Sequence, residues 1–138
     1  MGKLIGIDYG TKRTGLASTD DLQIIASGLC GISTNELMPY LIKLVEKEKI
    51  SGFVVGDPAV GSDDKTDSSE AIDKFCGELK KKFPEITLHR VDESYTSREA
   101  MSAMVQAGVS KKKRRDKNLL DQVSATLILQ RYMESSSY

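Results

Sequence analysis

The sequence predicts a mixed α/β domain in which one sheet has an antiparallel and a parallel part and helices cover it. Three observations carry this. Apolar runs at residues 3–8, 14–19 and 22–32 follow one another with only short turns between them, as in an antiparallel meander. From Ser33 onward the hydrophobic period lengthens to that of a helix. Short strands and helices then alternate to the end of the chain, the pattern of parallel strands joined by crossover helices.

Residues 3–8, KLIGID, form the first strand, apolar on both faces as a central strand would be, with Asp8 at its end. Gly10, Thr11, Lys12 and Arg13 supply a turn, and Asp20-Asp21 a second one. Ser33 and Glu36 read as a capping box for a helix over residues 34–49, whose face carries Leu37, Leu41, Leu44 and Val45. Pro39 falls early in it, where proline costs little. Residues 52–56, GFVVG, are a buried strand, and Asp57 to Asp67 a polar, acidic loop. Asp67 or Ser68 caps the next helix, whose apolar face is Ile72, Phe75, Cys76 and Leu79; Pro84 follows its end. Residues 86–91 are a strand with Asp92-Glu93 at its close. Thr96 and Glu99 form a second capping box, and Gly108 ends that helix. After a basic loop, Asn118 caps a last helix running to about Met133. Residues 1–134 make one domain, and residues 135–138 a disordered tail.

The chain has 138 residues, 39% hydrophobic and 29% charged, enough for one real core. No run approaches a membrane span and no signal-peptide pattern precedes the first strand, so the expected setting is cytoplasmic, with no membrane partner. Cys30 and Cys76 sit among apolar neighbours and read as reduced core thiols, with a disulfide as the other reading. Net charge is zero, but it is segregated: Lys111, Lys112, Lys113, Arg114 and Arg115 are consecutive, and Lys117 follows closely. That run is either a solvated loop or a contact for a phosphate backbone.

Three acids fall at informative places: Asp8 ends the first strand, Glu93 follows the last, and Asp121 lies near the start of the final helix. If the first and last strands are neighbours, Asp8 and Glu93 leave the same end of the sheet, and a helix packed on that sheet brings Asp121 beside them. Clustered carboxylates repel, and a hard divalent cation with oxygen ligands, Mg2+ or Mn2+, removes the difficulty. Such a site supports attack of water on a phosphodiester. Each acid also has a plain reading: a strand end bonding turn amides, a turn residue, and a charge complementing a helix dipole. The single histidine, His89, excludes two-histidine metal sites and reads as a packed strand residue. Gly56 and Gly61-Ser62 imitate a phosphate-binding glycine loop, but the lysine that should follow is missing.

GIDYGTKRTGLA near the N-terminus resembles the first signature of the YqgF (RuvX-like) family of RNase H-like nucleases. FVVGDP with GSDDKTDSS, VDESYTSREA and KNLLDQVSATLILQRYM resemble its later blocks, so the likeness spans essentially the whole chain. It implies an RNase H-like fold with a mixed five-stranded sheet, and a metal-dependent nuclease using Mg2+ or Mn2+. Asp8, Glu93 and Asp121 match the family's three acids, as both catalytic and metal-binding residues, and Lys117 matches a basic position. The resemblance implies a nucleic-acid substrate. Maturation of the 5′ end of pre-16S rRNA, with structured RNA and association with ribosome precursors, is favoured over resolution of a branched DNA (Holliday) junction. Junction resolution demands paired active sites, hence a dimer. Lys12 and Arg13, beside Asp8, and Lys111 to Arg115 with Lys117, beyond Asp121, would form the nucleic-acid track. Two departures stand out: Ser94 where the family commonly has arginine, and Asp57 in an unusually acidic second block.

Two other classes remain open on the residues. IGIDYGTKRTG also resembles the phosphate-binding turn of actin-like sugar kinases, which need two such lobes where this length supplies one. A nucleic-acid-binding module with weak or lost catalysis is the third reading, and the changes at Ser94 and Asp57 keep it open.

Overall fold

The structure, a computed structural model, describes residues 2–57, 67–92 and 96–136. Strands β1 (Lys3–Asp8), β2 (Arg13–Thr19) and β3 (Ala26–Ser33) come first, then helix α1 (Leu37–Lys47) and strand β4 (Ile50–Asp57). Helix α2 (Asp67–Lys82), strand β5 (Thr87–Asp92) and helices α3 (Thr96–Gln106), α4 (Lys111–Arg114) and α5 (Lys117–Ser136) complete the order. The five strands form one sheet in the order β3-β2-β1-β4-β5. The pairs β1–β2 and β2–β3 are antiparallel, β1–β4 and β4–β5 parallel. The expected mixed sheet is therefore present, and the chain leaves the meander at β3 to build its parallel half on the other side of β1.

Strand alternation sorts the core into two layers. Ile5, Ile7, Leu16, Phe53 and Val55 pack with Leu37 and Leu41 of α1 and Ile72, Phe75, Cys76 and Leu79 of α2. Leu4, Ala17 and Val54 point the other way, onto Ala125, Ile128 and Leu129 of α5. Helix α5 touches every strand of the sheet. It can do so because glycines clear its path. A Cβ at Gly6 would lie 2.5 Å from Leu129 Cγ, one at Gly28 2.7 Å from Gln122 Oε1, and one at Gly15 2.0 Å from the carbonyl oxygen of Asp121. Glycine in a strand weakens the strand itself, and here the return is close approach of helix to sheet.

Several local expectations change. Ser33 makes no side-chain cap, and a single 3-10 turn, Thr34–Glu36, precedes α1. The reason lies one residue on: the Thr34 hydroxyl donates to Gly10 O (2.5 Å) and meets Thr14 Oγ1 (2.9 Å), which ties this entry to the β1–β2 turn. The basic run is not a loop but the single turn α4, capped by Ser110, whose Oγ accepts from Lys113 N at 3.2 Å. Asp116, not Asn118, caps α5: its Oδ1 accepts from Asn118 N at 2.9 Å. That helix continues to Ser136, past the expected end at Met133. Gly108 does close α3. At φ 78° it allows Val109 N to reach Met104 O and its own N to reach Val105 O, the doubly bonded glycine ending of a helix. The side chains expected to cap α2 and α3, at Asp67, Ser68 and Thr96, lie outside the described residues.

Cys30 and Cys76 are free thiols. Burial pushes both thiols above their ordinary value, the opposite of what a nucleophile needs. His89 is the packed strand histidine expected: it lies 4.5 Å from the Tyr132 ring, with Nε2 3.1 Å from the hydroxyl. No helix among the described residues is long and apolar enough to cross a membrane.

Candidate active site

Asp8 closes β1, and its side-chain row is that of Leu4 and Gly6, the row turned toward α5. Across the antiparallel pair Asp8 lies opposite Gly15. The backbone of Asp121 presses on that same glycine from above, with Asp121 Cβ only 3.0 Å from where a Gly15 Cβ would be. Gly31, the partner of Gly15 in β3, is covered in turn by the carboxylate: its Cβ would lie 2.9 Å from Asp121 Oδ2. Two of the three expected acids thus come to one face of the sheet, Asp8 beside Gly15 and Asp121 over Gly15 and Gly31, although they stand 113 positions apart in the chain. Glu93 lies outside the described residues, as does Ser94. What is described is the strand that leads there: His89 and Val91 of β5 face α5, and Glu93 is two residues beyond Val91 in sequence.

The site sits where the parallel strands end, in the crevice that open α/β sheets use for ligands. Arg13, the first residue of β2, belongs to the row of Gly15 and Ala17 on the α5 face. Its Nε lies 2.9 Å from Asp121 Oδ2, with both side chains partly exposed. Arg13, expected to hold a phosphate, is therefore on the carboxylate, while four further guanidinium N–H donors remain to the group. Lys12 beside it is exposed. Lys111, Lys112, Lys113, Arg115 and Lys117 are exposed as well; Arg114 is half-buried and donates to Val109 O at 3.0 Å. Lys117 stands one helical turn before Asp121, so the basic turn α4 and the start of α5 flank that acid on its upstream side.

Two residues that sequence reasoning missed fix α5 on the sheet. Asn118 spends its carboxamide on Gly31: Nδ2 donates to Gly31 O (2.9 Å) and Oδ1 accepts from Gly31 N (3.3 Å). Gln122 Nε2 donates to the same Oδ1 at 2.5 Å. At the other end of the helix Arg131 Nη1 donates to the carbonyl of Asp92 (2.7 Å), the residue before Glu93, and its Nη2 pairs with Glu99 of α3. No local sequence signal reveals either contact, since both partners lie far away in the chain.

Asp57 proves to be structural. It is buried, points to the α2 side of the sheet, and pairs with Arg90 at 2.7 Å; Arg90 also holds Asp73 of α2 at 2.6 Å. The unusual acid of the second block thus joins β4, β5 and α2 on the face away from Asp121. The rest of the acidic loop, residues 58–66, lies outside the described residues.

Among the described residues no three acids, histidines or cysteines form a metal cage. Of the three acids at issue, two belong to those residues, and their donors suit a hard cation: carboxylate oxygens on a strand end and on a helix, that of Asp121 above a cradle that a Cβ would fill. A groove of about 530 Å³ lies at the other end of the sheet, beside Ile50; its two carboxylates, Glu48 and Glu85, share it with Lys49, Lys82, Phe83 and Pro84, with no third acid.

The family profile described as RuvX, Holliday junction resolvase, matches residues 2–135. A Christiangramia forsetii protein is 46% identical over 133 residues, covering 96% of this chain and 98% of its own. A Phocaeicola vulgatus protein is 44% identical over 138 residues, covering 100% and 99%. Both are provisionally named pre-16S rRNA nucleases. Among solved structures, Thermus thermophilus RuvC in complex with a Holliday junction substrate superposes with a TM-score of 0.61 at 14% identity, covering 99% of this chain and 96% of that one. A second RuvC structure from that organism gives 0.57 at 12%. Likeness at that identity concerns the fold, and the RNase H-like architecture expected from the sequence is the one found.

Proposed function

The chain belongs to the RuvX family, and from that premise we propose that it is a divalent-metal-dependent nuclease acting in the cytoplasm on the 5′ end of pre-16S rRNA. The observation that carries the reading is the meeting of Asp8 and Asp121 at Gly15, from opposite ends of the sequence. The names of the full-length relatives support the choice of RNA.

Asp8 and Asp121, with Glu93 beyond β5, would hold the ion. Bound there, Mg2+ or Mn2+ would supply Lewis-acid stabilisation of the phosphate and a more acidic water. The chain's own residues do the rest. Asp8 is held by the β1–β2 ladder and Asp121 by a helix seated on glycine, so neither carboxylate has to be ordered during reaction. Arg13 balances the charge of Asp121 and offers its outer N–H donors to a phosphate oxygen. Lys12 on one side and Lys111 to Lys117 on the other bind flanking phosphates. The whole sequence has eight Phe and Tyr residues and no Trp, and Tyr9, Phe53, Phe75, Phe83 and Tyr132 are engaged in ring contacts, so recognition rests on backbone and shape rather than base stacking.

The family description keeps junction resolution as a second reading. One experiment addresses both. Wild type and Asp8→Asn are compared on a pre-16S rRNA fragment and on a four-way DNA junction, with and without Mg2+. Metal-dependent cleavage of the RNA that Asp8→Asn abolishes, with an unchanged melting temperature, is the expected result. Cleavage of the junction alone would transfer the assignment to DNA. Binding without cleavage of either would make the protein a binding module, and full activity of Asp8→Asn would remove Asp8 from the chemistry.

A further inference from the structure

We infer that Asn118 is a positioning residue for the metal site: its carboxamide sets where Asp121 stands over the sheet. The inference rests on the reading of Asp8 and Asp121 as metal ligands. It deepens that reading by naming a residue outside the three acids.

The geometry is specific to one strand residue. Gly31 lies on β3, the edge strand of the sheet. Its N–H and its carbonyl both bond the Asn118 side chain, which completes the backbone there as a further strand would. The same Gly31 also touches Asp121, whose Oδ2 and Cβ would lie 2.9 and 3.0 Å from a Cβ on that glycine; Asn118 Cα would lie at 3.2 Å. One residue of the sheet therefore contacts both the anchor and the acid, which are three residues apart on the same face of α5. An anchor that grips a backbone N–H and C=O together fixes both the height of the helix along the strand and its rotation. Gln122 holds the carboxamide in this orientation, since its N–H occupies Oδ1 and so requires Nδ2 to face Gly31 O.

Among the described residues, no other side chain in the first turns of α5 grips a strand backbone in this way. The Asp116 cap bonds only the helix itself, and Arg13 touches the carboxylate rather than the helix backbone. An asparagine three residues before the acid is thus where a small change would move a ligand without deleting it.

The test is Mn2+ affinity, read by calorimetry and by the paramagnetic resonance signal of free ion, with kcat and KM measured alongside. Asn118→Ala is compared with wild type and with Tyr132→Phe, which loses a hydrogen bond at the far end of the same helix. Asn118→Gln, which keeps the amide but is one methylene too long, serves if the alanine variant does not fold. The expected result is Mn2+ binding weakened about 10–100-fold in either Asn118 variant, the range for loss of an outer support of a ligand. A fall in kcat with little change in KM should accompany it, while Tyr132→Phe binds Mn2+ as wild type does. Equal Mn2+ affinity in wild type and the Asn118 variant overturns the inference and leaves the metal site standing. So does an equal loss in Tyr132→Phe, which would mark the effect as general helix loosening. Absence of Mn2+ binding by wild type itself overturns the metal site and this inference with it.

Discussion

Adding one methyl group to Gly15 tests whether α5 is seated on the sheet as described. An alanine Cβ there would stand 2.0 Å from the carbonyl oxygen and 2.6 Å from the carbonyl carbon of Asp121, more than an ångström short of ordinary contact. The obstacle is helix backbone, so no side-chain rotation relieves it and α5 must lift. Overfilling a packed interior costs about 1–3 kcal/mol, and an immovable neighbour places this case near the top. Alanine returns about 0.5–1 kcal/mol by restricting the unfolded chain. The net loss is about 2 kcal/mol, which for a chain of this length lowers the melting temperature by roughly 6–10 °C. Displacing Asp121 by about 1 Å costs on the order of 100-fold in kcat. Gly77→Ala is the control: nothing lies within 4 Å of its would-be Cβ in α2. That change should add about 0.5–1 kcal/mol and leave cleavage alone. Calorimetric melts and single-turnover cleavage measure both effects. A Gly15→Ala protein that melts with wild type and cuts at the wild-type rate would refute the seating of α5.

Two further outcomes follow from other parts of the molecule. Arg90→Met removes the guanidinium that Asp57 and Asp73 share; because Asp57 is buried while Arg90 is one-third exposed, the expected loss is about 2–3 kcal/mol by urea unfolding, with kcat unchanged at a temperature where the variant is folded. Replacing Lys111, Lys112 and Lys113 together by alanine should weaken RNA binding in proportion across sequences and flatten the dependence of log affinity on log salt by about 2–3, measured by filter binding; an unchanged slope would place that turn outside the interface.

The alternation of strands and helices could be read from hydrophobic period, because KLIGID, GFVVG and the face of Leu37, Leu41 and Leu44 state their environments locally; the sheet order could not, and the first and last strands, supposed neighbours, stand apart with β4 between them. The chemistry of caps could not. Thr34 and Asn118 look like helix starts, yet each spends its side chain on a distant backbone, at Gly10 and at Gly31. Tertiary partners outcompeted the local ones. Gly6, Gly15, Gly28 and Gly31 carry no local signal of their role, and only the helix lying across them reveals that they are a groove. Asp57 illustrates the reverse error: an acid next to a family motif suggests substrate chemistry, and its partners Arg90 and Asp73 make it a structural tie.

Helix α5 comes after all five strands in the chain, yet among the described residues it supplies the apolar cover for the sheet face of Leu4, Ala17 and Val54. During synthesis the ribosome therefore releases a half-clothed sheet first, with Leu4, Ala17 and Val54 facing water and Asp8 facing no opposing acid. A chain in that condition exposes apolar surface that favours association. On the proposed reading of Asp8 and Asp121 as metal ligands, docking of α5 is the step that brings the second acid to the first.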